Sequence, residues 1–246
     1  MIWTFPLALT FLTIFPWPRL PLAEGEDLTR SMAWFPWVGA ILGLAYGAAW
    51  LGLARVLPDT AAAAVLLALS VCLTRGLHLD GLADTADGLL GGQTAEARLS
   101  IMKDSRLGAL GGVALILCLL LKFALILGAA DRGLILAFLL FPVVSRWGMV
   151  LLAYLAPYAR PEGGLGQAMV SGVGRQTLLC ATAGAFILTL AVGRLAGLAA
   201  MAAAAGATWL LSYCFTRQLG GITGDTLGAT NEILEILTLL VLVVMG

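Results

Sequence analysis

SMAWFPWVGAILGLAYGAAWLGLA, residues Ser31 to Ala54, contains no charged side chain. A helix needs about 20 mostly apolar residues to cross a bilayer, and this stretch supplies them. Gln176–Gly193 and Leu195–Thr216 are equally free of charge. Shorter clean runs lie at Thr60–Thr74, Leu107–Leu121, Gly133–Ser145 and Ile236–Gly246. The chain is 61% hydrophobic and 11% charged, whereas soluble domains run at about a quarter charged. The expected fold is therefore all-α: a polytopic integral membrane protein of six or seven transmembrane helices, forming one membrane-embedded domain over residues 1–246.

Spans are expected at about Trp34–Arg55, Thr60–Arg75, Leu107–Ala130, Leu134–Ala156, Gln176–Gly193 and Leu195–Thr216, with a last helix running to Gly246. Pro58-Asp59 and Asp131-Arg132 read as turns, and Arg194 as the tip of a hairpin. The N-terminus has no basic leader, and Pro6, Pro16 and Pro18 interrupt it. It reads as a retained, Trp-rich segment at the membrane interface rather than a signal peptide. Polar stretches fall at Gly76–Arg106 and Arg217–Thr230, and a Gly-rich loop at Pro157–Arg175.

Alternating the spans places Arg19, Arg30, Arg75, Arg98, Lys103, Arg106, Arg160, Arg175 and Arg217 on one side. Only Arg55, Arg132 and Arg194 fall on the other. By the positive-inside rule the first side is cytoplasmic, and both polar stretches share it. Net charge is zero with no basic run, which gives no footprint for nucleic acid. Cys72, Cys118, Cys180 and Cys214 sit in apolar runs outside any CxxC and read as small packing residues. Gly39, Gly43 and Gly47 have the spacing that lets helices approach closely. Gly220, Gly224 and Gly228 share it, with close approach of backbone to a phosphate as the alternative.

The chemistry concentrates in HLDGLADTADG, residues His78 to Gly88. On a helix, Asp80, Asp84 and Asp87 stand at i, i+4 and i+7 and share a face. Three carboxylates beside a membrane repel one another and are costly to desolvate. A hard divalent cation offsets that cost, and Mg²⁺ commonly joins carboxylates to substrate phosphates. A solvated acidic loop is the bland reading, but the stretch is otherwise apolar apart from His78 and Thr85. A second acidic face is Asp225, Glu232 and Glu235 at i, i+7 and i+10. The two faces could converge on one metal site, or Glu232 and Glu235 could be ordinary first-turn residues of the last helix.

Between them, Lys103 and Arg106 can hold phosphate oxygens, unless they only anchor the third span. Asp104 is a metal ligand or a general base. Arg146 lies within the fourth span and needs an acidic partner, a phosphate or a route to the surface. His78 is the one histidine, a packing residue or a site residue. Lys122 has no assigned role.

The order Phe11–Pro16, Trp34–Gly39, Gly76–Gly88, Ile101–Gly108 and Gly224–Glu235 resembles the cobalamin-5'-phosphate synthase family, the adenosylcobinamide-GDP ribazoletransferases. The resemblance spans nearly the whole chain. It implies an enzyme of the cytoplasmic (inner) membrane that uses Mg²⁺. Such an enzyme joins adenosylcobinamide-GDP to α-ribazole or α-ribazole 5'-phosphate and releases GMP. Carried onto this chain, it implies metal binding by Asp80, Asp84, Asp87, Asp225 and Glu232. Asp104, Asp84 and Asp87 become the catalytic carboxylates, with Asp104 as the proton acceptor. Lys103, Arg106, Arg98 and Arg146 become phosphate ligands, with His78 nearby. The partners implied are the two substrates and the bilayer; a homo-oligomeric state stays open. Two other readings compete. A CDP-alcohol phosphotransferase would also set aspartates on membrane helices around metals. A cation transporter would need carboxylates near mid-span, and the spans as drawn carry none.

Overall fold

The computed structural model describes residues 3–17, 25–160 and 165–246. Arg19, counted above on the cytoplasmic side, lies outside them. Twelve α-helices are described: α1 Thr4–Leu12, α2 Gly25–Ser31, α3 Phe35–Leu53, α4 Asp59–Leu73, α5 Leu77–Gly91, α6 Ala95–Ile101, α7 Ala109–Asp131, α8 Leu136–Leu155, α9 Leu165–Val170, α10 Arg175–Leu188, α11 Arg194–Leu219 and α12 Gly224–Met245. A 3-10 turn, Met32–Trp34, leads into α3, and a π-helical segment, Thr189–Gly193, joins α10 to α11. No strand occurs among the described residues, only one parallel bridge between Tyr158 and Ile222.

Five helical stretches are long and apolar enough to cross a membrane. A sixth, α4, passes that test only together with α5, which turns away from it by 87°. The stretch from α10 through α11 folds back on itself. The Thr189 hydroxyl contacts Met201 Sδ at 3.7 Å, although twelve residues of straight helix would separate them by about 18 Å. Arg194, with φ +48°, marks the reversal, as the hairpin expectation required.

Helix α8 forms the centre, with Phe138, Val143, Val144 and Val150 fully enclosed. Within a bilayer apolar burial drives little association, so close packing has to supply it. Gly39 and Gly43 of α3 meet α8 backbone directly: a Cβ on Gly43 would stand 2.6 Å from Leu139 Cα. Gly47 has open space instead. The second glycine series splits into three roles. Gly220 caps α11 at φ +81°, Gly224 faces open space, and Gly228 packs on the His78 backbone.

At one end of the bundle, α1 is preceded by exposed Trp3 and followed by exposed Ile14, Phe15 and Trp17. This is the composition of an interfacial segment. Two consecutive left-handed residues, Arg75 (φ +56°) and Gly76 (φ +64°), make the sharp bend from α4 into α5. The bend sends α5 across the end of the bundle, packed on α12 and α7. The polar stretch beginning at Gly76 is thus largely helical.

Candidate active site

The helix expected over the aspartate motif exists, and Asp80, Asp84 and Asp87 lie along α5. Its contact with α12 is tight because both helices present backbone. A Cβ on Gly81 would stand 2.7 Å from the Asp225 carbonyl oxygen, and one on Gly228 3.1 Å from that of His78. Helix α12 starts at Gly224 because Thr223 caps it. The Thr223 hydroxyl accepts from Thr226 N–H at 3.3 Å, and Thr223 N–H donates to the Thr226 hydroxyl at 2.8 Å. This reciprocal cap leaves Asp225 in the first turn, facing α5.

Arg160 completes this end. Ala159 N–H donates to Ile222 O at 2.8 Å, and Ile222 N–H to Pro157 O at 2.8 Å. These bonds lock the chain after α8 against the entry to α12. Arg160 Nη2 then reaches Asp225 Oδ2 at 2.6 Å. Sequence reasoning counted Arg160 only as a cytoplasmic charge. No local motif surrounds it, and its role follows from a backbone bridge between distant segments.

The carboxylates remain under-compensated. Burial raises the Asp84 pKa to about 6, assisted by the charges of Asp225, Asp80 and Asp87, while Arg160 opposes the rise. A cavity of about 290 Å³ opens beside them, lined in part by His78, Asp80, Tyr158, Arg160 and Asp225. Both ring nitrogens of buried His78 lack a partner among the described residues. Its ring is held neutral, with pKa lowered to about 3, first by burial and then by the charge of Arg146. Among the described residues no three His, Cys, Asp or Glu side chains are already drawn together as a metal cage. Crowded, hard oxygen donors still suit a cation held by one or two carboxylates with substrate phosphates and water completing the shell.

Asp87 has a second task. Its oxygens accept from Gly108 N–H at 2.8 Å and Gly111 N–H at 2.7 Å, satisfying the free donors at the start of α7. Its carboxylate fills the space that a Cβ at either glycine would need.

The basic residues part company. Arg98 spends its guanidinium on carbonyls, donating to Gly92 O at 3.0 Å and Gln218 O at 3.1 Å. It ties α5, α6 and α11 together instead of standing open to a phosphate. Arg106 is largely exposed and grips Asp104, Nη2 to Oδ2 at 2.5 Å. Hydrogen bonds from Arg106 hold Asp104 at about 2. A carboxylate so stabilised is a weak proton acceptor, so the base role expected of Asp104 does not suit its surroundings. Lys103 is exposed in the same turn.

Glu232 and Arg146 lie elsewhere. Beginning at Gly224, α12 carries Glu232 and Glu235 down into the bundle, about 10 Å and 15 Å along the axis from Asp225. Lys122 bonds Glu232 at 2.9 Å and Glu235 at 2.5 Å, and Arg146 pairs with Glu235. Asn231 Nδ2 donates to Glu232 and Glu235 at 3.3 and 3.2 Å. All five side chains are buried. The spans therefore do carry acidic residues. Two acids and two bases close the charge balance there, and Arg146 finds an acidic partner rather than a phosphate. Lys122, given no role from sequence, is central to this network.

The chain as a whole has matches among known proteins. The family model for cobalamin-5-phosphate synthase covers residues 4–243. The chain belongs to the cobalamin-5-phosphate synthase family. It is 45% identical over 240 residues to the adenosylcobinamide-GDP ribazoletransferase of Syntrophobacter fumaroxidans, covering 96% of each chain. The protein of that name from Geotalea daltonii is 42% identical over 244 residues, covering 98% of this chain and 96% of its own. That of Roseiflexus sp. is 41% identical over 232 residues, covering 94% and 86%. No solved structure matches. Family membership makes this protein an enzyme, a transferase of cobalamin biosynthesis, carried on a bundle of membrane-crossing helices.

Proposed function

We propose that this protein joins adenosylcobinamide-GDP to α-ribazole, or to α-ribazole 5'-phosphate, at the α5–α12 end of the bundle. The products are GMP and adenosylcobalamin or its 5'-phosphate. The observation that carries this reading is that Asp80 and Asp225 line one cavity, with Asp84 close enough for their charges to act on it, while among the described residues Arg160 is the cation that opposes them. Near-full-length similarity to proteins bearing that enzyme name supplies the substrates.

In the reaction a ribose hydroxyl oxygen bonds to the phosphorus attached to the cobinamide. The bond from that phosphorus to the GMP oxygen breaks, and the hydroxyl proton passes to a carboxylate. Asp84 suits the transfer better than Asp104, because its raised pKa lies nearer neutrality. Mg²⁺, which Asp80 and Asp225 would hold, would neutralise charge on the diphosphate and leave Asp84 free to take the proton. Arg160 holds Asp225 in place and adds positive charge at the cavity wall. His78 offers a neutral donor and acceptor to a group entering the cavity. Arg106, oriented by Asp104, and Lys103 provide charge for the outer phosphates. Asp87 fixes α7 against α5 and so sets the spacing of the site. The excess of basic residues on this side supports an orientation with this end at the cytoplasmic face of the inner membrane.

The test is turnover in liposomes. Purified protein receives adenosylcobinamide-GDP, either acceptor and Mg²⁺, and GMP and the corrinoid product are followed. Product that disappears in Asp84→Ala and on chelation supports the reading. No product with either acceptor, from folded protein, would overturn it in favour of CDP-alcohol substrates.

A further inference from the structure

The reaction cavity of about 290 Å³ is just below the range of small-molecule pockets, about 300–1,000 Å³. It can take a diphosphate and a hydroxyl, not a corrin macrocycle. A second cavity, of about 1220 Å³, lies between α2, the Met32–Trp34 turn, α9 and α10. Helix α9 is the wall common to both. Gly166 and Met169 line the small cavity, while Gln167 and Ala168 line the large one. The wall is braced by the Thr29 hydroxyl, which donates to Ala168 O at 2.8 Å.

From this arrangement we infer that the large cavity holds the corrinoid body of the donor, while its diphosphate passes around α9 to the carboxylates. The assignment rests on the function proposed above. A corrinoid has flat apolar faces and a rim of carboxamides. The cavity presents the matching chemistry. Trp34 and Trp37 are each about 40% exposed and offer broad indole surfaces. Trp37 is accommodated because α10 has Gly184 where a Cβ would stand 2.7 Å from the indole nitrogen. Trp34 is steadied by donating from Nε1 to the Thr4 hydroxyl at 3.1 Å. Gln167 and Gln176 supply amides that pair with carboxamides in both senses. Both glutamines are exposed, so their amides are open to such pairing. Arg30 and Glu26, paired at 2.5 Å, stand at the same wall as a polar rim.

The test fills the cavity from two walls with Ser171→Phe and Ala33→Phe. Each variant is assayed in liposomes for the KM of donor and acceptor separately, and for retention of coloured adenosylcobinamide lacking GDP. The expected result is a donor KM raised about tenfold or more with the acceptor KM within about twofold, and weakened retention of adenosylcobinamide. An unchanged donor KM, or a rise in the acceptor KM instead, overturns the assignment. If a variant is inactive, unimpaired adenosylcobinamide retention overturns it. Failure of the unsubstituted protein to turn over donor would sink the proposed function as well. Turnover by that protein with indifferent variants sinks the cavity assignment alone.

Discussion

Helix α12 carries three acidic residues along one face, and its two ends treat them differently. At the bundle end, Asp225 stands near Asp80 and Asp84 of α5, and among the described residues the cation paired there is Arg160, on Asp225. Deeper in, Glu232 and Glu235 meet Lys122 and Arg146, and the charges cancel. Compensation inside the membrane serves the fold, because an unpaired buried charge is expensive and a matched set fixes how α7, α8 and α12 are rotated against one another. Under-compensation at the surface serves chemistry, because it leaves negative charge for a cation and a proton to answer.

That contrast breaks first, and hardest, at depth. Glu235→Gln leaves Arg146 buried without its carboxylate and should cost about 3–5 kcal/mol of stability. Thermal unfolding in detergent would show it, and a wild-type melting curve would dissolve the distinction. Combining Lys122→Met with Glu232→Gln should cost less than the two single changes added together, since both charges leave at once.

At the surface the expected loss is catalytic. Asp84→Asn should lower turnover by about a hundredfold or more while the protein melts no lower than before, because a repelling charge has gone. A large fall in melting temperature would return Asp84 to the structural group.

Acidity should move activity and stability in opposite directions. Asp84 holds its proton up to about pH 6 in the folded state and loses it near 3.9 when unfolded. Between these values the folded protein binds more protons, so this group's contribution to stability is present at low pH and fades as pH rises through about 6. The carboxylate needed for catalysis follows the reverse course. Melting temperature and GMP release measured across pH 4.5–7.5, the melting without divalent cation, should therefore diverge. A parallel fall of both on acidification would contradict the assignment.

The smallest effect is expected at the exposed Asp104–Arg106 pair. Asp104→Asn should raise the donor KM by about threefold and leave kcat within about twofold, the pattern of a residue that orients a binding group. A loss of kcat comparable to that of Asp84→Asn would restore Asp104 as the base.

The membrane class was legible because bilayer thickness sets a length that uncharged runs such as Ser31–Ala54 meet unaided. The aspartate face was legible for a similar reason: helical periodicity alone aligns Asp80, Asp84 and Asp87. Periodicity also grouped Asp225 with Glu232 and Glu235, and there it misled. A shared face says nothing about depth, and the cap at Thr223 places the helix start so that two of the three descend into the bundle. Which cation each carboxylate meets depends on residues far away in the chain. Lys122 and Arg146 reach Glu232 and Glu235 across helix interfaces, and Arg160 reaches Asp225 through the bridge at Tyr158 and Ile222. Local pattern therefore determined where the charges are and which helices carry them. Only the packing decided which charges are cancelled and which are left open, because electrostatic compensation depends on distance in space rather than along the chain.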